Sequence, residues 1–333
     1  MKKMKIGTIE YPEFPVFLAP MEDVTDSSFR RICKQFGADM LYTEFISSEG
    51  LIRDASRSTR KLDYHEEERP IGIQIFGGKI ESMVEATIVA SEANPDLIDI
   101  NFGCPVKKVV AKFGGAGILQ NIPMMVEMTR AIVLATNLPV TVKTRLGWDD
   151  TKKDIVSIAE RLQDVGIEAL TIHGRTRSQL YKGEADWTLI GEVKNNPRMH
   201  IPIIGNGDIT SAEKAIEYKN RYGVDAIMIG RAAIGNPWIF REVKQLAQGK
   251  DCDLPNISER ISVLKRHIEL AAEWKGLTRS VNEMRKHYTT YFKGIPNIKD
   301  YRLKLVTAPL LEDVYKIFDE MEEVYANVKI NKE

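Results

Sequence analysis

Ile203-Ile204-Gly205-Asn206-Gly207-Asp208-Ile209, followed after one amphipathic segment by Ala226-Ile227-Met228-Ile229-Gly230-Arg231-Ala232, decides the fold. Each half is a short apolar run that stops at a glycine beside a polar side chain, and the segment between them, Ala212 to Tyr222, has apolar residues three and four apart. Strand, helix and strand in that order form a βα unit of a parallel sheet. Glycines at strand ends let backbone N–H groups approach a phosphate, a following helix N-terminus adds a favourable dipole, and Arg231 adds a fixed cation.

The same unit repeats upstream. Val16 to Ala19, Met40 to Thr43, Ile71 to Ile75, Leu97 to Ile100, Val140 to Lys143 and Leu170 to Ile172 are further short apolar runs, which brings the count to eight. Helical patterns at Ile80 to Ala93, Met124 to Ala135 and Ile155 to Val165 separate several of them. Eight units ending near residue 240 match the size of a (β/α)8 TIM barrel, an α/β fold of about 250 residues, with a doubly wound open sheet as the alternative. A barrel gathers its chemistry where the strands end. Pro20-Met21, Glu44, Gln74, Asn101, Lys143 with Arg145, His173 with Arg175, Asn206 with Asp208, and Gly230-Arg231 stand at those ends.

Beyond residue 240 the alternation stops. Asp251-Cys252-Asp253-Leu254-Pro255 reads as a linker, and Ser258-Glu259 offers a capping start to helical patterns over Ile261 to Trp274, Val281 to Phe292 and Leu310 to Val328. The sequence thus predicts a barrel domain over 1–245 and an all-helical domain over 255–333.

Composition narrows the function. The 333 residues carry 47 Lys+Arg and 47 Asp+Glu, a net charge of zero, so nucleic-acid contact has to come from local patches. Cys33, Cys104 and Cys252 stand far apart, which disfavours a zinc site, an iron–sulfur cluster or a disulfide framework; no metal is expected. The basic start Met1-Lys2-Lys3-Met4-Lys5 leads into Glu10, Pro12 and Glu13, and no run of eighteen apolar residues follows, so neither a secretion signal nor a membrane span is expected and a reducing cytoplasm fits.

A phosphate site leaves the rest of the ligand open, and the other strand ends suit a flavin. Gln74 can hydrogen-bond the isoalloxazine edge, while Lys143 can lie beside N1–C2=O, with His173 supporting the same side. A buried lysine calls for an anionic partner.

The most specific stretch is Asp99-Ile100-Asn101-Phe102-Gly103-Cys104-Pro105-Val106-Lys107-Lys108. Together with Ala19-Pro20-Met21, Val24-Thr25-Asp26, Gln74-Ile75-Phe76-Gly77, Val140 to Arg145, His173-Gly174-Arg175-Thr176-Arg177, Asn206-Gly207-Asp208-Ile209 and Met228 to Arg231, it resembles the tRNA-dihydrouridine synthases. Arg145-Leu146-Gly147-Trp148 and Thr176-Arg177-Ser178-Gln179 are most similar to the bacterial B-type branch, and the resemblance runs from about residue 8 to residue 305.

That resemblance implies an FMN barrel with a helical tRNA-binding domain, in which NADPH (or NADH) reduces FMN and reduced FMN reduces a uridine of the tRNA D-loop. Pro20, Met21, Glu22, Gln74, Lys143, His173, Asn206, Gly207, Asp208, Gly230 and Arg231 would bind FMN; Asn101 would orient the uracil edge; Cys104 would be the catalytic acid. Saturating the C5=C6 bond takes hydride at C6 from flavin N5 and a proton at C5 from the opposite face, and a thiol of pKa about 8.5 holds that proton at neutral pH. The target base must also leave its RNA fold. Candidate RNA contacts are Lys107, Lys108 and Lys112 after the cysteine; Arg145, Arg175 and Arg177 after strands five and six; and Arg279 to Lys304, where seven Lys/Arg face two acids and Arg285-Lys286-His287-Tyr288 resembles the family's basic helix motif. No obligate protein partner is implied. Glu22-Asp23 stands where many members have Ala-Gly, which leaves Glu22 its backbone as a ligand, and Gly114-Gly115-Ala116-Gly117-Ile118 varies the family's small-residue stretch. An FMN barrel acting on dihydroorotate or a free pyrimidine is the competing enzyme reading, and an RNA-binding protein without redox function is the competing reading of another class.

Overall fold

The computed structural model describes residues 3–252, 254–326 and 328. Met1-Lys2 of the basic start, Asp253 of the expected linker and residues 327 and 329–333 of the expected C-terminal domain lie outside them.

Eight parallel strands form the barrel: β1 (Val16–Leu18), β2 (Leu41–Tyr42), β3 (Ile71–Phe76), β4 (Leu97–Asn101), β5 (Val140–Arg145), β6 (Ala169–His173), β7 (Ile203–Asn206) and β8 (Ala226–Ile229). Each from β3 to β7 pairs with its successor, β2 pairs with β3, and β8 pairs with β1 through Ile227 opposite Val16. A bridge between Phe17 and Met40 brings β1 to β2 and nearly closes the ring. Alternate side chains face opposite ways. Inward, Phe17, Tyr42, Leu97, Ala169, Ile204, Ala226 and Met228 fill the barrel, and a hairpin of Lys5–Ile6 with Ile9–Glu10 packs Ile6 and Tyr11 against them. Outward, Val16, Ile73, Ile98, Val142, Leu170 and Ile227 join a second core under the helices.

Those helices are α1 (Ser27–Gln35), α2 (Ile80–Glu92), α3 (Ile122–Ala135), α4 (Ile155–Asp164), α5 (Thr188–Asn195), α6 (Ala212–Tyr222) and α7 (Trp238–Ala247). Ser211 caps α6 by accepting from Lys214 N, and Gly223 ends it at φ 71 in the left-handed region where glycine is favoured.

Four helices follow: α8 (Ile257–Lys275), α9 (Leu277–Tyr291), α10 (Lys299–Thr307) and α11 (Leu311–Tyr325). They enclose a core of Leu264, Ile268, Met284, Tyr288, Phe292, Phe318 and Met321, to which Trp238 of α7 also belongs. The expected capping start is corrected: Asn256, not Ser258, is the cap of α8 and accepts from Glu259 N at 2.9 Å. Helix α10 was not expected, because Leu305 is its one fully buried residue and it shows no apolar stripe.

Barrel and helical domain meet where α1 packs on α8. Phe29, His267 and His287 pack there with ring centroids 4.8–5.5 Å apart, the two histidines edge to face. Lys275 pairs with Asp26, and with Glu283 at 2.6 Å.

Candidate active site

The carboxyl ends of the strands open into a cavity of about 1030 Å³, at the upper end of ligand-site volumes. Cys104 lines it from the loop after β4. The backbone of that loop is held on three sides. Asn101 Oδ1 accepts from the N–H groups of Gly103 and Cys104, both at 2.9 Å. Arg145 Nε donates to Gly103 O at 2.7 Å, and Ala116 N donates to Cys104 O at 2.9 Å. Gly115 sits at φ +51, and a Cβ there would come within 2.8 Å of Cys104 O, so this member of the small-residue stretch has to be glycine. Burial pushes the Cys104 thiol up, which keeps it protonated at neutral pH.

Cationic and amide groups line the same cavity. Lys143 Nζ donates to Asn206 Oδ1 at 3.2 Å, and Asn206 Nδ2 donates to Met228 O at 2.8 Å. Burial, with help from Arg145, pulls the Lys143 ammonium down to about 8. His173 is held neutral by burial and then by Arg145 and Lys143 beside it. Gly207 lies at φ +122 with no room for a Cβ, which would come within 2.9 Å of the His173 ring. The side chain of Arg231 is 59% exposed at the rim, with its guanidinium over the Tyr181 ring and Nη2 donating to Asp208 Oδ1 at 3.2 Å. Asp208 also accepts from both Arg175 Nη atoms, at 2.9 and 2.7 Å; burial raises its pKa, but these bonds hold the carboxyl below the usual range.

Of the residues expected at the flavin, Pro20, Met21, Glu22, Lys143, His173, Asn206, Gly207, Asp208, Gly230 and Arg231 all line this cavity. Gln74 does not. It lies fully buried one layer below, where its Nε2 donates to Asp99 and its Oε1 accepts from Asn101. The Glu22 carboxylate is bound by Lys61 at 2.6 and 2.7 Å.

Of the expected RNA contacts, three are buried and three others are engaged within the protein. Arg145 and Arg175 are each 2% exposed and face inward, Arg145 supporting the cysteine loop and Arg175 gripping Asp208. His287 is buried against Phe29 and His267, and Lys286 reaches across the seam to the carbonyl of Asp23. Arg285 donates to Ala308 O at 3.1 Å, and Arg177 lies over the Trp148 ring at 4.5 Å. Lys107, Lys108 and Lys112 are exposed, and among the described residues none has an ion-pair partner. Sequence reasoning missed Tyr181, an exposed ring between the Arg145 and Arg231 guanidiniums; only its place in the loop after β6 pointed to it.

A buried ammonium answered by a neutral amide, a neutral imidazole, glycine turns after β7 and β8 and a rim arginine form a donor set for an extended anionic ligand, and they fit a flavin phosphate and its electron-rich ring edge. Fold and site together define a (β/α)8 barrel enzyme with its thiol facing an anion-ready cavity.

The dihydrouridine synthase (Dus) family model matches residues 17–323, and the chain belongs to that family of oxidoreductases. It is 35% identical over 327 residues to a probable tRNA-dihydrouridine synthase of Rickettsia prowazekii (strain Madrid E), covering 98% of each chain. To tRNA-dihydrouridine synthase B of Pasteurella multocida (strain Pm70) it is 39% identical over 296 residues, 88% of each. Among solved structures, morphinone reductase in complex with tetrahydroNAD superposes with a TM-score of 0.52 at 13% identity, over 78% of this chain and 93% of that one. Histamine dehydrogenase from Rhizobium sp. 4-9 gives 0.56 at 13%, over 81% and 50%. These two likenesses concern the fold. Among the described residues no helix is long and apolar enough to cross a membrane.

Proposed function

We propose that this protein reduces a uridine in the D-loop of tRNA to 5,6-dihydrouridine in the cytoplasm, with FMN in the barrel cavity and NADPH as reductant. The observation that carries the reading is that Cys104, Lys143 and His173 line one cavity at the carboxyl end of the barrel, where burial favours the protonated thiol. Bound FMN supplies the hydride, drawn from NADPH and delivered to C6 of the uracil. Pro20, Met21 and the Glu22 backbone would bound one side of a flavin, Lys143 and His173 would stabilise its electron-rich ring, and Asn206, Gly207, Asp208, Gly230 and Arg231 would hold its phosphate. Gln74 acts from beneath, through Asn101. Asn101 orients the uracil, and Cys104 Sγ gives its proton to C5. Lys107, Lys108 and Lys112, exposed just after the cysteine loop, contact RNA phosphates, offsetting the cost of extruding the base.

The test is nucleoside mass spectrometry of tRNA lacking dihydrouridine after incubation with the yellow protein and NADPH. A two-dalton gain on a D-loop uridine is expected. Cys104→Ala should keep the flavin and the NADPH oxidation while losing about 10²- to 10⁴-fold in uridine reduction, the span of a missing general acid. A flavin-loaded wild-type protein that converts no tRNA would instead favour a free pyrimidine or dihydroorotate as substrate.

A further inference from the structure

Beneath the cysteine loop the barrel wall holds a carboxylate that the chemistry above leaves without a task. Asp99 of β4 is 1% exposed, and among the described residues it has no ion-pair partner. Its Oδ2 accepts from Gln74 Nε2 and its Oδ1 from Thr141 Oγ1, both at 2.5 Å. Gln74 Oε1 accepts in turn from Asn101 Nδ2 at 2.8 Å, and Asn101 Oδ1 accepts from the Gly103 and Cys104 N–H groups. An ionised carboxylate at one end of this relay can only accept, and backbone N–H groups at the other can only donate. Two amides between such ends have a single arrangement in which no donor meets a donor. Keeping a carboxylate buried without an ion pair is costly, and such groups concentrate where function needs them.

We infer that Asp99 is a positioning residue of this site: acting through Gln74, it sets which end of the Asn101 amide faces the cysteine loop, and so holds Asn101 and the Cys104 backbone in their working places. The inference rests on the uridine-reducing reading for its effect on rate, while its effect on the loop stands apart from it.

The FMN-loaded enzyme tests it with variants of unchanged shape. Gln74→Glu sets a carboxylate against Asp99 and removes the donor between them. Asp99→Asn/Gln74→Glu restores that donor with the polarity reversed across the pair: the amide introduced at position 99 donates to the carboxylate introduced at position 74, which still accepts from Asn101. The readouts are single-turnover uridine conversion by prereduced enzyme and the rate at which iodoacetamide alkylates the Cys104 peptide. Gln74→Glu should lose roughly ten- to hundredfold in conversion, the scale of a displaced reacting group, and alkylate at a changed rate. The loss should deepen as pH rises and the two carboxylates give up the proton they share. The double variant should return to within about threefold of wild type with no such pH dependence, as expected when two neighbours are coupled. Wild-type behaviour of Gln74→Glu in both readouts, or a double variant no better than the single one, would overturn the inference. Wild-type enzyme that converts no uridine would refute the proposed function, and the relay would then stand or fall on the alkylation rates.

Discussion

Lys143 shows what a single side chain can report about this cavity. Burial lowers its pKa to about 8, Arg145 pushes the same way, and Asp99 and Cys104 oppose them. An anionic ligand binds the ammonium form, so its affinity is full below that pH and falls as the lysine deprotonates above it. FMN bound to the apoprotein should therefore weaken between about pH 7.5 and 9.5, by up to about tenfold per unit where one proton is linked. Fluorescence titration of FMN across that range checks this, and Lys143→Met should bind weakly with a flat profile. Lys143 was legible in the sequence because it stands near the end of a strand facing the carboxyl end of the barrel. Gln74 looked equivalent and is not. Strand β3 runs on through Ile75 and Phe76, and its register sets Gln74 opposite Asp99, two residues short of the end of β4, so the residue belongs to the layer below.

At the scale of elements, helix α9 shows which part of the basic motif belongs to the core. Met284, His287, Tyr288 and Tyr291 recur at helical spacing and are all buried, which makes His287 a core residue whatever its neighbours carry. Counting charge over Arg285-Lys286-His287 ignored that period. The seam it forms with α1 and α8 carries a pH dependence of definite sign. Burial lowers His267 from 6.5 to about 4 and holds His287 down as well, so the folded state keeps both neutral while the unfolded chain takes up protons. That contribution is whole above pH 6.5 and is lost as pH falls from 6.5 toward 4, about 3 kcal/mol for His267 alone. Asp26 adds nothing in this window: burial alone would raise it, but Lys275 holds it below the usual carboxylate range. Hydrogen exchange at pH 7 and pH 5 should show α8 and α9 losing protection on acidification, and His267→Phe should blunt the change. Equal loss in the variant would assign the effect to other groups.

Over the whole molecule the net charge of zero hides how the cations are spent. The segment from Arg279 to Lys304 counts plus five with Glu283 and Asp300 already subtracted; Lys304 pairs further with Glu320, while Arg285, Arg302 and Lys286 donate to carbonyls, which fixes where they point and leaves their charge in place. A sum over sequence cannot see these partners, because most of them lie on other elements. The three lysines that follow Cys104 remain exposed and, among the described residues, without ion-pair partners, and the ring of Phe113 next to Lys112 is exposed as well. If Lys107, Lys108 and Lys112 each neutralise one phosphate, replacing all three with alanine should reduce the slope of log K against log salt by about 2 to 3, at roughly 0.7 to 0.9 per contact. Titrating labelled tRNA between about 50 and 300 mM KCl measures that slope, with the melting temperature as a check that the fold survives. Lys286→Ala should change the slope by less, since the bond to the Asp23 carbonyl holds its ammonium at the seam. The opposite pattern, an unchanged slope in the triple variant and a reduced one in Lys286→Ala, would return the RNA to the face of α9.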